Sequence, residues 1–248
     1  ASAPYQNTAD MRTRGWELSL NWRDQIGKVG YRIGFNLSDY KSEIIKYDDN
    51  AATKLLSSYY PGQTLGEIWG YVVDGYYTVD DFVDTSSWQL KEGVTSINGY
   101  NVRPGDVKFK NLRDDDTSTN VITSGDNTFD NPGDRKVIGN TTPRYQYGIN
   151  LGMNYAGFDL NVILQGTGKR DYWISNVLTF PMNGDNFVPL FEGLSDYWMP
   201  KDPDNGDWSA VNPNAKYPRY VWADQLGTAN YYRTSTMFAY KGNYLAIR

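Results

Sequence analysis

The sequence predicts an all-β fold built from antiparallel hairpins, and three observations carry that reading. The first is the stretch Tyr145 to Gly166, where Tyr145, Tyr147, Ile149, Leu151, Met153 and Tyr155 alternate with Gln146, Gly148, Asn150, Gly152 and Asn154. A period of two puts every apolar residue on one face of a strand, whereas a helix would scatter them around its circumference. The second is that the pattern resumes after a tight turn at Ala156-Gly157. Phe158, Leu160, Val162 and Leu164 continue the apolar face, and Asp159, Asn161 and Gln165 hold the polar one, broken only by Ile163. The third is composition: 21 Tyr, 9 Phe, 8 Trp and 24 Gly among 248 residues suit β-structure or a sugar-stacking surface better than a helical core.

Taken in order, the chain opens its regular pattern with a strand over Gly15 to Trp22, where Trp16, Leu18, Leu20 and Trp22 face one way and Glu17, Ser19 and Asn21 the other. Asp24 to Lys28 reads as a short polar turn. Val29, Tyr31, Ile33, Phe35 and Leu37 then alternate with Gly30, Arg32, Gly34, Asn36 and Ser38, which makes a second hairpin of the same kind. From Lys41 to Arg144 the pattern lapses for about a hundred residues, far beyond ordinary connection lengths, so this stretch is expected to be a structured excursion. A second excursion runs from residue 167 to 231 and contains Trp173, Trp198 and the Pro-rich run Pro200 to Trp208. Short turns thus sit at one end of the hairpins and very long connections at the other.

Two architectures fit such hairpins. In a soluble sandwich the apolar face looks into the protein and the polar face toward water. In a transmembrane barrel the apolar face meets lipid, the polar face lines a wet lumen, and aromatic residues gather at the interfaces. Strands of about ten residues match a tilted crossing of the hydrocarbon core, and the long-loop, short-turn asymmetry is that of outer-membrane barrels. A soluble carbohydrate-binding β-sandwich remains the alternative, and connections of this length count against it.

Composition also removes function classes. The chain has no Cys and no His, which excludes Ser-His-Asp and Cys-His nucleophile arrangements and the zinc motifs within it. A two-carboxylate glycosidase needs neither residue, but no Asp or Glu pair stands out by spacing, and no catalytic residue is assigned. The formal net charge is -5 with no Lys or Arg run, so the electrostatic footprint of nucleic-acid binding is missing. No apolar run is long enough for a transmembrane helix, which leaves strand-based crossing open.

Five segments, in order, resemble the SusC/RagA family of TonB-dependent outer-membrane transporters: Asp10 to Trp22, Pro61 to Tyr77, Arg103 to Leu112, Asp134 to Gly166 and Lys241 to Arg248. The resemblance implies that residues 1–248 are the C-terminal portion of a large antiparallel barrel of about 22 strands with a plugged lumen. Residues 41–144 and 167–231 would be long extracellular loops. The plug domain and the TonB-binding segment would lie upstream, outside this chain. It further implies import of a bulky nutrient, an oligosaccharide or peptide, across the outer membrane of a Gram-negative, Bacteroidetes-type cell. The partners implied are a SusD-like surface lipoprotein, TonB reached through the upstream part, outer-membrane lipid and the glycan or peptide ligand.

Site expectations follow from these readings. Loop aromatics Trp69, Tyr71, Tyr76, Tyr77, Trp173 and Trp198 are the candidates for ligand or partner contact, since exposed rings stack on sugars and anchor interfaces; loop packing is the competing role for each. Glu17, Arg32, Asn150 and Gln165 are the lumen-facing candidates. Where the family commonly carries a D-x-N-x-D-G stretch resembling the start of a calcium loop, this chain reads Asn111, Arg113, Asp115 and Asp116. An Arg at a ligand position and no Gly at the sharp turn weaken a calcium site. Asp114, Asp116, Asp126, Asp130 and Asp134 are left as hard-cation candidates against a solvated acidic loop, and no cofactor is otherwise expected. Thr13 and Ala246 also depart from the family's usual residues, without consequence expected for the fold.

Overall fold

The computed structural model describes residues 7–113, 120–174, 192–220 and 233–248. The alternating stretches form one five-stranded antiparallel sheet. Its first hairpin joins Ala9–Ile26 to Val29–Tyr47, its second joins Arg144–Tyr155 to Phe158–Lys169, and Tyr244–Ile247 adds a short final strand. Val29–Tyr47 pairs with Arg144–Tyr155, so the two hairpins are continuous and Ala9–Ile26 and Tyr244–Ile247 are the sheet edges. Among the described residues the sheet does not close on itself and there is no α-helix.

The first turn is tighter than the polar run Asp24 to Lys28 suggests. Ile26 pairs with Val29, so only Gly27 and Lys28 make the first turn, with Gly27 at φ +61°. Ala156 and Gly157 make the second, both at positive φ as a type I′ hairpin turn requires.

The opposite end of the sheet also differs from the sequence expectation. The first two strands are 18 and 19 residues long and run past Gly15 and Lys41, where the apolar alternation stops. Pairing continues there because backbone hydrogen bonding does not need an apolar face. Thr13 Oγ1 and Ser42 Oγ lie 2.7 Å apart and Arg12 Nη2 donates to Glu43 Oε2 at 3.2 Å, which carries the register onward with polar pairs.

Register sorts the side chains into two faces. Trp22, Ile33, Leu151 and Val162 form one apolar row; Leu20, Phe35, Ile149, Leu164 and Ile247 form the next, and Leu18, Leu37, Tyr147 and Leu245 a third. These side chains are not an interior. Leu20 is 56%, Trp22 62% and Phe158 80% exposed, so the sheet does not bury this face as one layer of a sandwich would.

By contact density the chain divides into two units. One contains the sheet, with residues 1–68, 139–172 and 240–248; the other contains residues 69–138 and 173–239. The second unit has its own core, with Tyr77, Val107, Phe109, Ile122, Leu194 and Trp198 almost entirely buried. Tyr71 stacks on Phe109 at 5.1 Å between ring centroids. The turn Arg103 to Asp106 ties its two halves together: Gly105 N donates to Tyr77 O, and Arg219 N donates to Gly105 O. Arg219 also grips Asp106 through two hydrogen bonds, 2.7 Å to Oδ1 and 3.1 Å to Oδ2. Gly105 sits at φ +88°, and the Trp198 ring lies where a Cβ would be.

Replacing Gly105 with Ala therefore strains the backbone and pushes on a buried indole. We expect Gly105→Ala to destabilise the second unit by about 1–3 kcal/mol, read as a lower unfolding midpoint by tryptophan fluorescence. An unchanged midpoint would mean that Trp198 is not packed on this turn.

Candidate functional site

The polar face of the sheet is built from cross-strand rows in which a small residue stands beside a long polar one. Gly30 is opposite Asn154, Arg32 opposite Gly152, Gly34 opposite Asn150 and Asn36 opposite Gly148. The long side chains lie down over the glycines. A Cβ on Gly148 would come within 2.7 Å of Asn36 Oδ1, and one on Gly152 would collide with Arg32. Arg32 crosses Gly152 to donate to Asn161 Oδ1 on the next strand. The result is a low, densely polar wall with an open recess of about 470 Å³, lined by Arg23, Arg32, Asn154, Asp159 and Asn161 among others.

The lumen-facing candidates Glu17, Arg32, Asn150 and Gln165 lie together on the polar face of the sheet. Glu17 pairs with Ser38, which pairs with Gln146; Asn150 lies between Gly34 and Ile163; Gln165 lies beside Gly148. Ile163, which breaks the alternation, thus places an apolar side chain on the polar wall, in the row of Gly34 and Asn150.

Where the second hairpin parts from the first, Asp39 closes the split. Its carboxylate receives Arg144 Nε and Nη2 and the Tyr145 amide, the last at 3.3 Å. Asp171 is a second organising acid. It accepts from Lys241 Nζ at 2.7 Å and from the Asn140 amide at 3.1 Å. Burial pushes the Asp171 carboxyl up, but the hydrogen bonds from Lys241 and the Asn140 amide, with the positive charges of Lys241 and Lys169, hold it below its ordinary value.

The loop aromatics divide by burial. Tyr77, Trp198 and Tyr71 are 0%, 2% and 4% exposed and belong to the core of their unit, so they present no ring to a ligand. Tyr77 donates its hydroxyl to Thr95 O at 2.6 Å, and Tyr71 receives Arg233 Nη1 at 3.1 Å. Trp69, Tyr76 and Trp173 are half-buried. Trp69 meets Phe129 edge to face, and Tyr76 donates to Ala215 O while burial pushes its hydroxyl pKa up. Another aromatic group is not marked by the sequence pattern. Trp88 packs edge-on against both Phe82 and Trp208, at 5.3 and 5.0 Å between centroids, with the Arg103 guanidinium 5.4 Å from its ring. Both tryptophans are half-buried. The only available signal was that each stands next to an Asp-led turn, Asp84 to Ser87 before Trp88 and Asp202 to Asp207 before Trp208.

Among the acidic candidates, Asp114 and Asp116 lie outside the described residues. Asp126 accepts from Asn131 Nδ2 at 3.1 Å. Asp134 serves the backbone: it accepts from the amides of Leu112, Arg113 and Thr123 at 2.9, 3.3 and 2.8 Å. Among the described residues no three acidic side chains converge on a point that could hold a metal ion.

Two measurements check this arrangement. Gly152→Ala is expected to lift Arg32 off Asn161 and cost about 1 kcal/mol, with a loss smaller than additive when combined with Arg32→Met, because both remove one contact. Additive losses would place Arg32 elsewhere. A folded-state pKa held low stabilises above the unfolded value near about 3.9 and that stabilisation fades as pH falls. Lys241→Met should therefore start acid loosening of the Asn140 amide, read by hydrogen exchange, at a higher pH than in the unaltered protein.

No family model matches the chain. Over an alignment of 262 residues covering all of this chain, it is 24% identical to TonB-dependent receptor P3 of Formosa agariphila. The chain spans 22% of that relative's length. Strands with one polar and one exposed apolar face, without an apolar helical span among the described residues, thus accompany full-length similarity to a part of a TonB-dependent receptor.

Proposed function

We propose that this chain is an arc of the barrel wall of a TonB-linked outer-membrane importer of the SusC/RagA type. The observation that carries the reading is the exposed apolar face of the sheet, ordered row by row by the strand register. From Trp16 to Ile26 the face of the first strand that carries Trp16, Leu18, Leu20 and Trp22, with Asp24 near its turn end, covers ten residue steps, about 33 Å along the strand. At the usual barrel tilt this spans about 24 Å, the height of an outer-membrane apolar band. The two open sheet edges support an arc that neighbouring strands continue, and the polar wall supports a wet interior. The similarity to a TonB-dependent receptor adds independent weight.

On this reading the protein does no covalent chemistry. It moves a bulky nutrient, an oligosaccharide or peptide, with energy delivered by TonB to a part of the protein outside this chain, and a SusD-like lipoprotein is its surface partner. The half-buried rings Trp69, Tyr76, Trp173, Trp88 and Trp208 are the positions for ligand or partner contact. Tyr71, Tyr77 and Trp198 hold the loop body in shape.

Fractionation of cells carrying the full-length parent protein tests the proposal directly. The expected result is recovery from the outer membrane in detergent, with a co-purifying lipoprotein identified by mass spectrometry; a soluble secreted protein would overturn it. A paired substitution tests the face assignment. Leu20→Arg, in the middle of the apolar face, should destabilise the membrane-inserted protein by about 2–4 kcal/mol, and Asn150→Arg, on the polar wall, by much less. Equal effects would contradict a lipid-facing sheet.

A further inference from the structure

We infer that the apolar face is topped by a binding site for the phosphate of an anionic membrane lipid, centred on Arg14 and Lys41. The inference rests on the membrane reading above and adds a specific ligand to it. Arg14 pairs directly with Lys41, one row beyond Trp16 and Asp39 and two beyond Leu18 and Leu37. Trp16 and Leu18 share a strand face with Arg14, so both bases stand on the apolar side of the sheet, immediately past its last apolar row. The Arg12 to Glu43 contact in the following row confirms that paired residues here project to the same side.

Like charges directly opposite each other on one face of a sheet repel, and the carboxylates nearby do not relieve this pair. On the same face, Asp39 is taken by Arg144 and Glu43 by Arg12. Neither Arg14 nor Lys41 forms a salt bridge among the described residues, and both are exposed. Each neighbouring acid thus has its own arginine, and two positive charges are left over.

Their surroundings fit one ligand chemistry. Below them on the same face lie Trp16, half exposed, then Leu18 and Leu20, a surface that accepts an acyl chain. At the boundary between apolar surface and charge, a lipid phosphate places its anion between the two bases while its chains lie along the leucines. A free phosphate would satisfy the charges but make no use of the apolar strip. A lipid uses both, and basic residues at a membrane surface each contribute about 1 kcal/mol, or about fivefold, toward anionic lipid.

The test uses the full-length protein reconstituted into nanodiscs of phosphatidylcholine containing a minority of phosphatidylglycerol, with the lipid retained after delipidating detergent washes read by mass spectrometry. Retention of phosphatidylglycerol over phosphatidylcholine is expected, and the Arg14→Gln/Lys41→Gln double variant should reduce it at least about fivefold. Lys28→Gln, in the turn at the other end of the sheet, should leave it unchanged. Resistance to unfolding in detergent, compared between variants, checks that the double variant is folded. Equal retention by a folded double variant overturns the site, as does abolition of retention by millimolar inorganic phosphate, which would mark a free-anion site. Failure of the protein to enter a bilayer at all would sink the membrane reading as well, whereas insertion without selective retention would sink only this inference.

Discussion

The cross-strand register of the sheet is the constraint on which the rest depends. Because side chains alternate with a period of two, a slip of one residue in any pairing would move leucines and tryptophans to the polar wall and asparagines to the apolar face. The hairpin turns set the register at one end, where Gly27 and the Ala156-Gly157 pair allow two-residue connections. The glycine rows reinforce it along the polar face. Arg32 fits across Gly152 and Asn36 across Gly148 only when those residues are opposite each other.

That register produces a protein with no conventional interior in its largest element. In a water-soluble domain the apolar rows would form the core, and here they are the outside. On the proposed barrel-wall reading, the hydrophobic effect that ordinarily closes a sheet against another layer is left for a surrounding apolar medium to supply. Stability within the sheet accordingly comes from backbone pairing, from polar side chains lying flat on glycine, and from organising acids such as Asp39 and Asp171 that satisfy amides where the pairing splits.

The second unit obeys the opposite rule. Its rings point inward, and its two stretches, far apart in sequence, are joined by buried polar contacts such as Asp106 with Arg219. Breaking one partner of such a pair leaves a charge stranded in a dry setting, which makes the link directional as well as strong. The aromatic richness of the chain therefore serves two ends: tyrosines and tryptophans at the margins of the apolar face, and a packed core within the long connections.

The sequence alone was enough to place both hairpins, the Ala156-Gly157 turn, the two faces and the polar positions Glu17, Arg32, Asn150 and Gln165, because period-two alternation is a local property that needs no knowledge of distant partners. It could not tell where the first two strands end, since beyond Gly15 and Lys41 backbone pairing continues without an apolar pattern to mark it. Nor could it separate buried from presented aromatics: Tyr77 and Tyr76 are neighbours in sequence, yet one is wholly enclosed and the other half-open. The same holds for Trp88 meeting Trp208 and for Asp134 gathering three amides. Those outcomes depend on segments a hundred or more residues apart in the first case and on the exact path of irregular backbone in the second, and only the tertiary structure decides them.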